Sequence, residues 1–137
     1  MPRPNLVSDE DLMTRIGLVF RDVGYSAASL NMLAKATGLS KASLYHRFPE
    51  GKEQMACEVL EKTGRWFEEH ILKPLEGPGA PQDKLRSMSV LLDAFYDGGR
   101  KACLLNMLSS PRMDDGPFSQ QIRTMFSAFI DALSTVA

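Results

Sequence analysis

Only two cysteines occur among the 137 residues, Cys57 and Cys103. Neither belongs to a C-x-x-C or C-x-x-C-H pattern, so the spacing suggests neither a zinc site nor a redox pair. They read as buried thiols of an intracellular chain. No run of about 18 consecutive apolar residues occurs, and the opening MPRPNLVSDEDL lacks the apolar stretch of a signal peptide. A soluble, cytoplasmic protein without membrane association is expected. Alternating strand patterning, internal repeats and low-complexity tracts are missing as well. So are the H-E-x-x-H, G-x-S-x-G and phosphate-cradling glycine motifs that organise common active sites. An enzyme would have to use His46, His70, Cys57, Cys103 or the Asp114–Asp115 pair, and no motif groups them. No catalytic residue, metal site or cofactor is therefore expected.

Net charge is also small, −1 overall, but it is unevenly spread. Residues 1–52 carry a surplus of two positive charges, and residues 53–137 a surplus of three negative ones. Within 35–52, four basic residues (Lys35, Lys41, Arg47 and Lys52) stand against one acid, Glu50. A local cationic patch on a mildly acidic body fits docking of an anion better than general stickiness toward polyanions.

What the sequence has almost throughout is apolar spacing at the helical period, which predicts an all-α fold. Ser8 followed by Asp9, Glu10 and Asp11 is a capped, acid-biased helix start. Leu12, Ile16, Val19, Phe20 and Val23 then supply an apolar face, and Gly24 stops it. Ser29 caps a short second helix through Leu30, Leu33 and Ala34, ended by the left-handed propensity of Gly38. Ser40 caps a third that runs to about Phe48, where Pro49 disfavours continuation. A long fourth helix is predicted over 52–73, with Met55, Val59, Leu60, Trp66, Phe67 and Ile71 on its apolar side and Pro74 behind it. At ~1.5 Å per residue it is about 30 Å long, enough to leave one small bundle and enter another. The EGPGAP stretch at 76–81 is the clearest loop. Further helices are predicted over 82–97 (Leu85, Met88, Leu91, Leu92, Phe95), within ACLLNMLSS at 102–110, and from about 117 (Ile122, Met125, Phe126, Phe129, Ile130, Leu133).

Two helices joined by a short glycine-containing turn form the helix-turn-helix arrangement, whose second helix can enter the major groove of DNA. On the helix beginning at Lys41, Leu44 and Phe48 share one face. Ala42, Ser43 and His46 lie opposite, with Lys41 and Tyr45 flanking. Lys41 can donate to guanine or to a phosphate, Ala42 is small enough for close approach and can meet a thymine methyl, and Ser43 can hydrogen-bond either way. Tyr45 and His46 carry polar tips suited to phosphate oxygens. Lys52 opposes the macrodipole at a helix N-terminus, a conflict that a bound phosphate would reconcile. Against this, single surface cations such as Lys41 and Arg47 are commonly just solvated, and Glu50 or Glu53 can neutralise Lys52.

The stretch GYSAASLNMLAKATGLSKASLYHRFPEGKE, 24–53, resembles the N-terminal DNA-binding domain of the TetR/AcrR family of transcriptional regulators. Gly24–Tyr25, Ser29, Ala34, Gly38-Leu39-Ser40, Leu44–Tyr45, Phe48 and Lys52 carry the resemblance, which extends over about residues 10–60. It implies a helix-turn-helix bundle over 1–52, joined by a long fourth helix to a helical ligand-binding and dimerisation domain over 53–137 that lacks its last helices. The implied protein is a homodimer on double-stranded operator DNA, a repressor released by an unidentified small-molecule effector. The family contacts carry over to Ser29, Lys41, Ser43, Tyr45, His46 and Lys52; Ser40, which caps the reading helix, and Ala42 complete the candidate DNA-binding set. Ala28 stands where many members have threonine, and Gly51 before the lysine is found in a subset.

Trp66, Phe67, His70, Met88, Leu92, Phe95, Tyr96, Met107, Met125, Phe126 and Phe129 are candidates to line an effector cavity, with methionines lending adaptability. The same side chains at helical spacing also suit plain core. A helical ligand-binding or scaffold protein without operator binding, or an enzyme, is the alternative to a regulator.

Overall fold

The computed structural model describes residues 7–98 and 118–136, and these are helical throughout, joined by turns. Helix α1 (Asp9–Val23) begins where Ser8, in extended conformation, accepts a hydrogen bond from the Asp11 amide at 3.1 Å. It ends at Gly24, whose φ of 84° favours a residue without a Cβ. Leu12, Met13, Ile16, Gly17 and Phe20 are its buried face. Gly17 allows close crossing of the fourth helix, because a Cβ there would sit 3.2 Å from Val59 Cγ1.

Helix α2 (Leu30–Thr37) is capped by Ser29 and closed by Gly38 in the left-handed region; α3 (Lys41–Arg47) is capped by Ser40 and closed at Phe48. All three serine caps and both glycine stops thus form as the sequence predicts. Helix α4 (Lys52–Phe67) buries Met55, Ala56, Val59 and Leu60.

The predicted stop at Pro74 does not occur. The helix instead widens into a π-turn (Glu68–Leu72) and continues as α5 (Lys73–Glu76). A proline is tolerated in the first turn of a helical segment, where its missing N–H has no helical partner to lose. The widened turn supplies that break, with the Lys73 amide bonding back to the Glu68 carbonyl. After the 77–80 connection, α6 (Pro81–Phe95) starts on its proline, and Lys84 Nζ reaches the Leu75 carbonyl at 3.2 Å, serving the C-terminal end of α5. Helix α7 (Ser119–Ser134) follows Phe118. The helix expected within 102–110 lies outside the described residues.

Two apolar clusters result. The first gathers the buried faces of α1 to α4 with Phe118 and Ile122, so it draws on both sides of residue 52. The second comprises Ile71, Leu75, Ala132 and Val136, with Trp66, Phe67, Met88, Leu91, Leu92 and Phe129 half-buried around it. Helix α6 buries no residue fully, and Phe126 and Ile130, expected on the apolar face of α7, are exposed. No helix among the described residues is long and apolar enough to cross a membrane.

Candidate nucleic-acid interface

Helix α3 is two-faced in the manner its spacing predicts. Leu44 and Phe48 are completely buried, while Lys41, Ala42, Ser43, Tyr45 and His46 are exposed. One turn of apolar contact therefore holds the helix down by the side that carries no hydrogen-bonding chemistry. The cap sharpens the outward face. Ser40 Oγ accepts from the Ser43 amide and donates to Ser43 Oγ at 3.0 Å, which leaves the Ser43 O–H to donate outward. Ser29 is likewise exposed, with its oxygen engaged by the Met32 amide.

The tyrosine of α3 and the start of α4 come together. A Cβ at Gly51 would lie 3.6 Å from Tyr45 Cε1, so the ring stands beside the turn that opens α4. No side chain caps that helix start. Lys52 is half-buried, with Nζ 2.8 Å from the Tyr25 carbonyl and 4.4 Å above the Tyr25 ring, so this ammonium ties the 24–29 turn to α4. An ammonium has three N–H donors, of which the carbonyl takes one.

Arg47, counted from sequence in the cationic patch with plain solvation as the alternative, is a structural cation instead. Its guanidinium is 3.1 Å from Asp9 and 3.0 Å from Glu58, and lies 4.5 Å over the Phe48 ring, so it joins α1, α3 and α4. The Arg47 hydrogen bond holds the Asp9 carboxyl below its ordinary value. These partners lie 38 and 11 residues away along the chain, too far for any local spacing rule to reveal. The remaining exposed cations of 35–52 are Lys35 and Lys41.

The candidate effector residues divide into two groups. Trp66 stacks on His70 at 5.0 Å and on Phe95 at 5.3 Å, and Tyr96 meets Phe95 edge-on. Phe67 meets Phe129 edge-on at 5.1 Å, and a groove of about 510 Å³ between α4 and α7 is lined in part by Phe67, Leu72 and Met125. Met88 and Leu92 pack on the second cluster, Phe126 is exposed, and Met107 lies outside the described residues. Burial first, then Glu53 and neighbouring carboxylates, raise the Cys57 thiol above its ordinary value, which disfavours the thiolate. No cluster of three metal-ligating side chains exists among the described residues.

A short three-helix head with a locally capped, outward-facing third helix defines a helix-turn-helix protein. Residues 19–59 match the family model of bacterial regulatory proteins, tetR family. Over 79 residues the chain is 34% identical to the uncharacterized HTH-type transcriptional regulator YxaF of Bacillus subtilis, covering 58% of this chain and 41% of that protein. It is 30% identical over 80 residues to the HTH-type transcriptional regulator LmrA of the same organism, covering 58% and 43% respectively. It is also 30% identical over 79 residues to the HTH-type transcriptional repressor KstR2 of Mycolicibacterium smegmatis, covering 58% of this chain and 38% of that one. The aligned part is thus about two fifths of the length of these curated relatives. The fold is similar to that of a TetR transcriptional regulator from Legionella pneumophila, with a TM-score of 0.78 at 21% identity over 96% of this chain and 73% of that chain.

Proposed function

We propose that the protein is a cytoplasmic transcriptional regulator whose residues 1–52 read double-stranded operator DNA as part of a homodimer, with residues 53–137 as the regulatory domain. The supporting observation is the division of α3 into a fully buried apolar side and an exposed side bearing Lys41, Ala42, Ser43, Tyr45 and His46. In this reading Lys41 and Ala42 face base edges and Ser43 serves either bases or phosphates. Ser29, Tyr45, His46 and Lys52 hold the sugar-phosphate backbone, while Ser40 takes part by directing the Ser43 hydroxyl outward. The Lys52 ammonium keeps its anchor on the Tyr25 carbonyl and offers its remaining donors to a phosphate at the uncapped start of α4.

The regulatory reading follows from α4, which contributes to both apolar clusters through its continuation into the π-turn and α5. An apolar effector entering beside Trp66, Phe67 or Phe95 changes the packing of that rod, and half-sites about 34 to 36 Å apart tolerate little change in dimer geometry. The name of the KstR2 relative, a repressor, favours repression over activation.

The test is a salt-dependent binding series on duplexes selected from random DNA. Lys52→Ala weakens all duplexes alike and flattens the log-affinity against log-salt slope by about 0.9. Lys41→Ala instead relaxes sequence preference, at a cost of about 1 to 3 kcal/mol at the base it reads. Unchanged binding in both variants removes the assigned surface.

A further inference from the structure

The α4 rod is not the only tie between the head and the helices behind it. Arg21, in the last turn of α1, reaches across to the far end of α6 and donates from Nη2 to the Phe95 carbonyl at 2.7 Å. Phe95 is the last residue of α6, so its carbonyl is one of the acceptors a helix end leaves without an internal partner. The same guanidinium lies 4.3 Å above the Phe95 ring and 5.9 Å from that of Tyr96. Two helix C-termini, each carrying partial negative charge, thereby approach one shared cation. The ring beneath it passes the contact on, because Phe95 stacks at 5.3 Å on Trp66 of α4. One side chain of the head thus grips α6 through a backbone carbonyl and, through one aromatic ring, touches the rod that carries α3.

We propose that Arg21 is a positioning residue, a clamp that fixes the orientation of the head against α6, and that its grip depends on the Phe95–Trp66 stack. The idea rests on the DNA-reading role of the head only for its functional consequence. The geometry has a simple corollary. Anything that parts Phe95 from Trp66 removes the platform under the guanidinium and tilts the carbonyl it holds, so α1 is freed to swing about the end of α4. A planar guanidinium can donate to the carbonyl and lie flat on the ring at once, whereas an ammonium does the first and only weakly the second.

Trp66 is the one tryptophan of the chain, so its emission reports on this stack directly. The experiment compares the full chain with Arg21→Ala, Arg21→Lys, Phe95→Ala and the double Arg21→Ala/Phe95→Ala variant. It reads Trp66 emission, denaturant stability and affinity for the selected duplex across a salt series, with far-UV circular dichroism to verify helix content. Arg21→Ala is expected to change Trp66 emission while helix content is retained. Its duplex affinity falls about five-fold or more, with the salt slope unchanged, because orientation is lost and no phosphate contact is. Arg21→Lys recovers part of both effects, and the stability effects of the Arg21 and Phe95 substitutions are non-additive. Wild-type emission in Arg21→Ala, or additive stability effects, overturns the clamp. A salt slope reduced by about 0.9 overturns it too, since Arg21 would then contact phosphate itself. If the wild-type chain binds no duplex at all, the DNA reading falls, and emission together with the stability cycle still decides the clamp.

Discussion

Toward the head, α4 lays Met55, Ala56, Val59 and Leu60 against Leu12, Ile16, Phe20, Leu33, Leu44 and Phe48, all buried. Beyond Phe67 the same rod buries Ile71 and Leu75, and the helix across from it, α6, buries nothing completely; Val90 is 65% exposed. The two regions have similar periodic sequences, yet one forms a closed core and the other a half-covered one. Periodicity says which side chains share a face and not whether anything covers it. A head whose core is closed by α4 and by Phe118 and Ile122 can present α3 as a rigid surface, while the loosely covered helices behind it are suited to repacking around something else.

Substitutions should separate the two regions by size of effect. Phe20→Ala, at a fully buried site, is expected to cost about 3 to 5 kcal/mol in urea denaturation, enough to endanger folding of the whole chain. Arg47→Ala, which removes the links to Asp9 and Glu58 on a partly exposed surface, should cost about 1 kcal/mol. It also changes the acid response. Asp9 has a native pKa below its ordinary value, so its pairing stabilises the fold above the unfolded carboxylate value. That contribution is lost as pH falls through the lowered native value. Stability measured from pH 6 downward should therefore fall less steeply in Arg47→Ala than in wild type. Val90→Ala, in the open region, should stay within about 0.5 kcal/mol. A large loss there would show α6 to be better covered than its exposure indicates.

Much of the head was legible because its signals are local. Ser8, Ser29 and Ser40 each bond an amide three residues on, and Gly24 and Gly38 each close the helix before them, so a few consecutive letters are enough. The two faces of α3 follow from a spacing of four between Leu44 and Phe48. Contacts between distant segments were not legible. Nothing in the letters pairs Arg47 with Asp9, Lys52 with the Tyr25 carbonyl, or Arg21 with the end of α6. The effector residues were only partly grouped for a related reason. Trp66 and His70 lie on one side and Phe67 on another, and the π-turn between α4 and α5 moves the later residues off the expected line.

That π-turn also changes the phase of the rod. In an unbroken helix, Leu60 and Ile71 are eleven residues apart and would point in nearly the same direction. One extra residue in a turn offsets everything after it by about 100°. The direction of Leu75 is thus set in part by a backbone insertion, while Trp66 and Phe67, ahead of it, reach the second cluster without one. A variant with the exposed Glu69 deleted would keep the composition of both cores and lose their mutual aim.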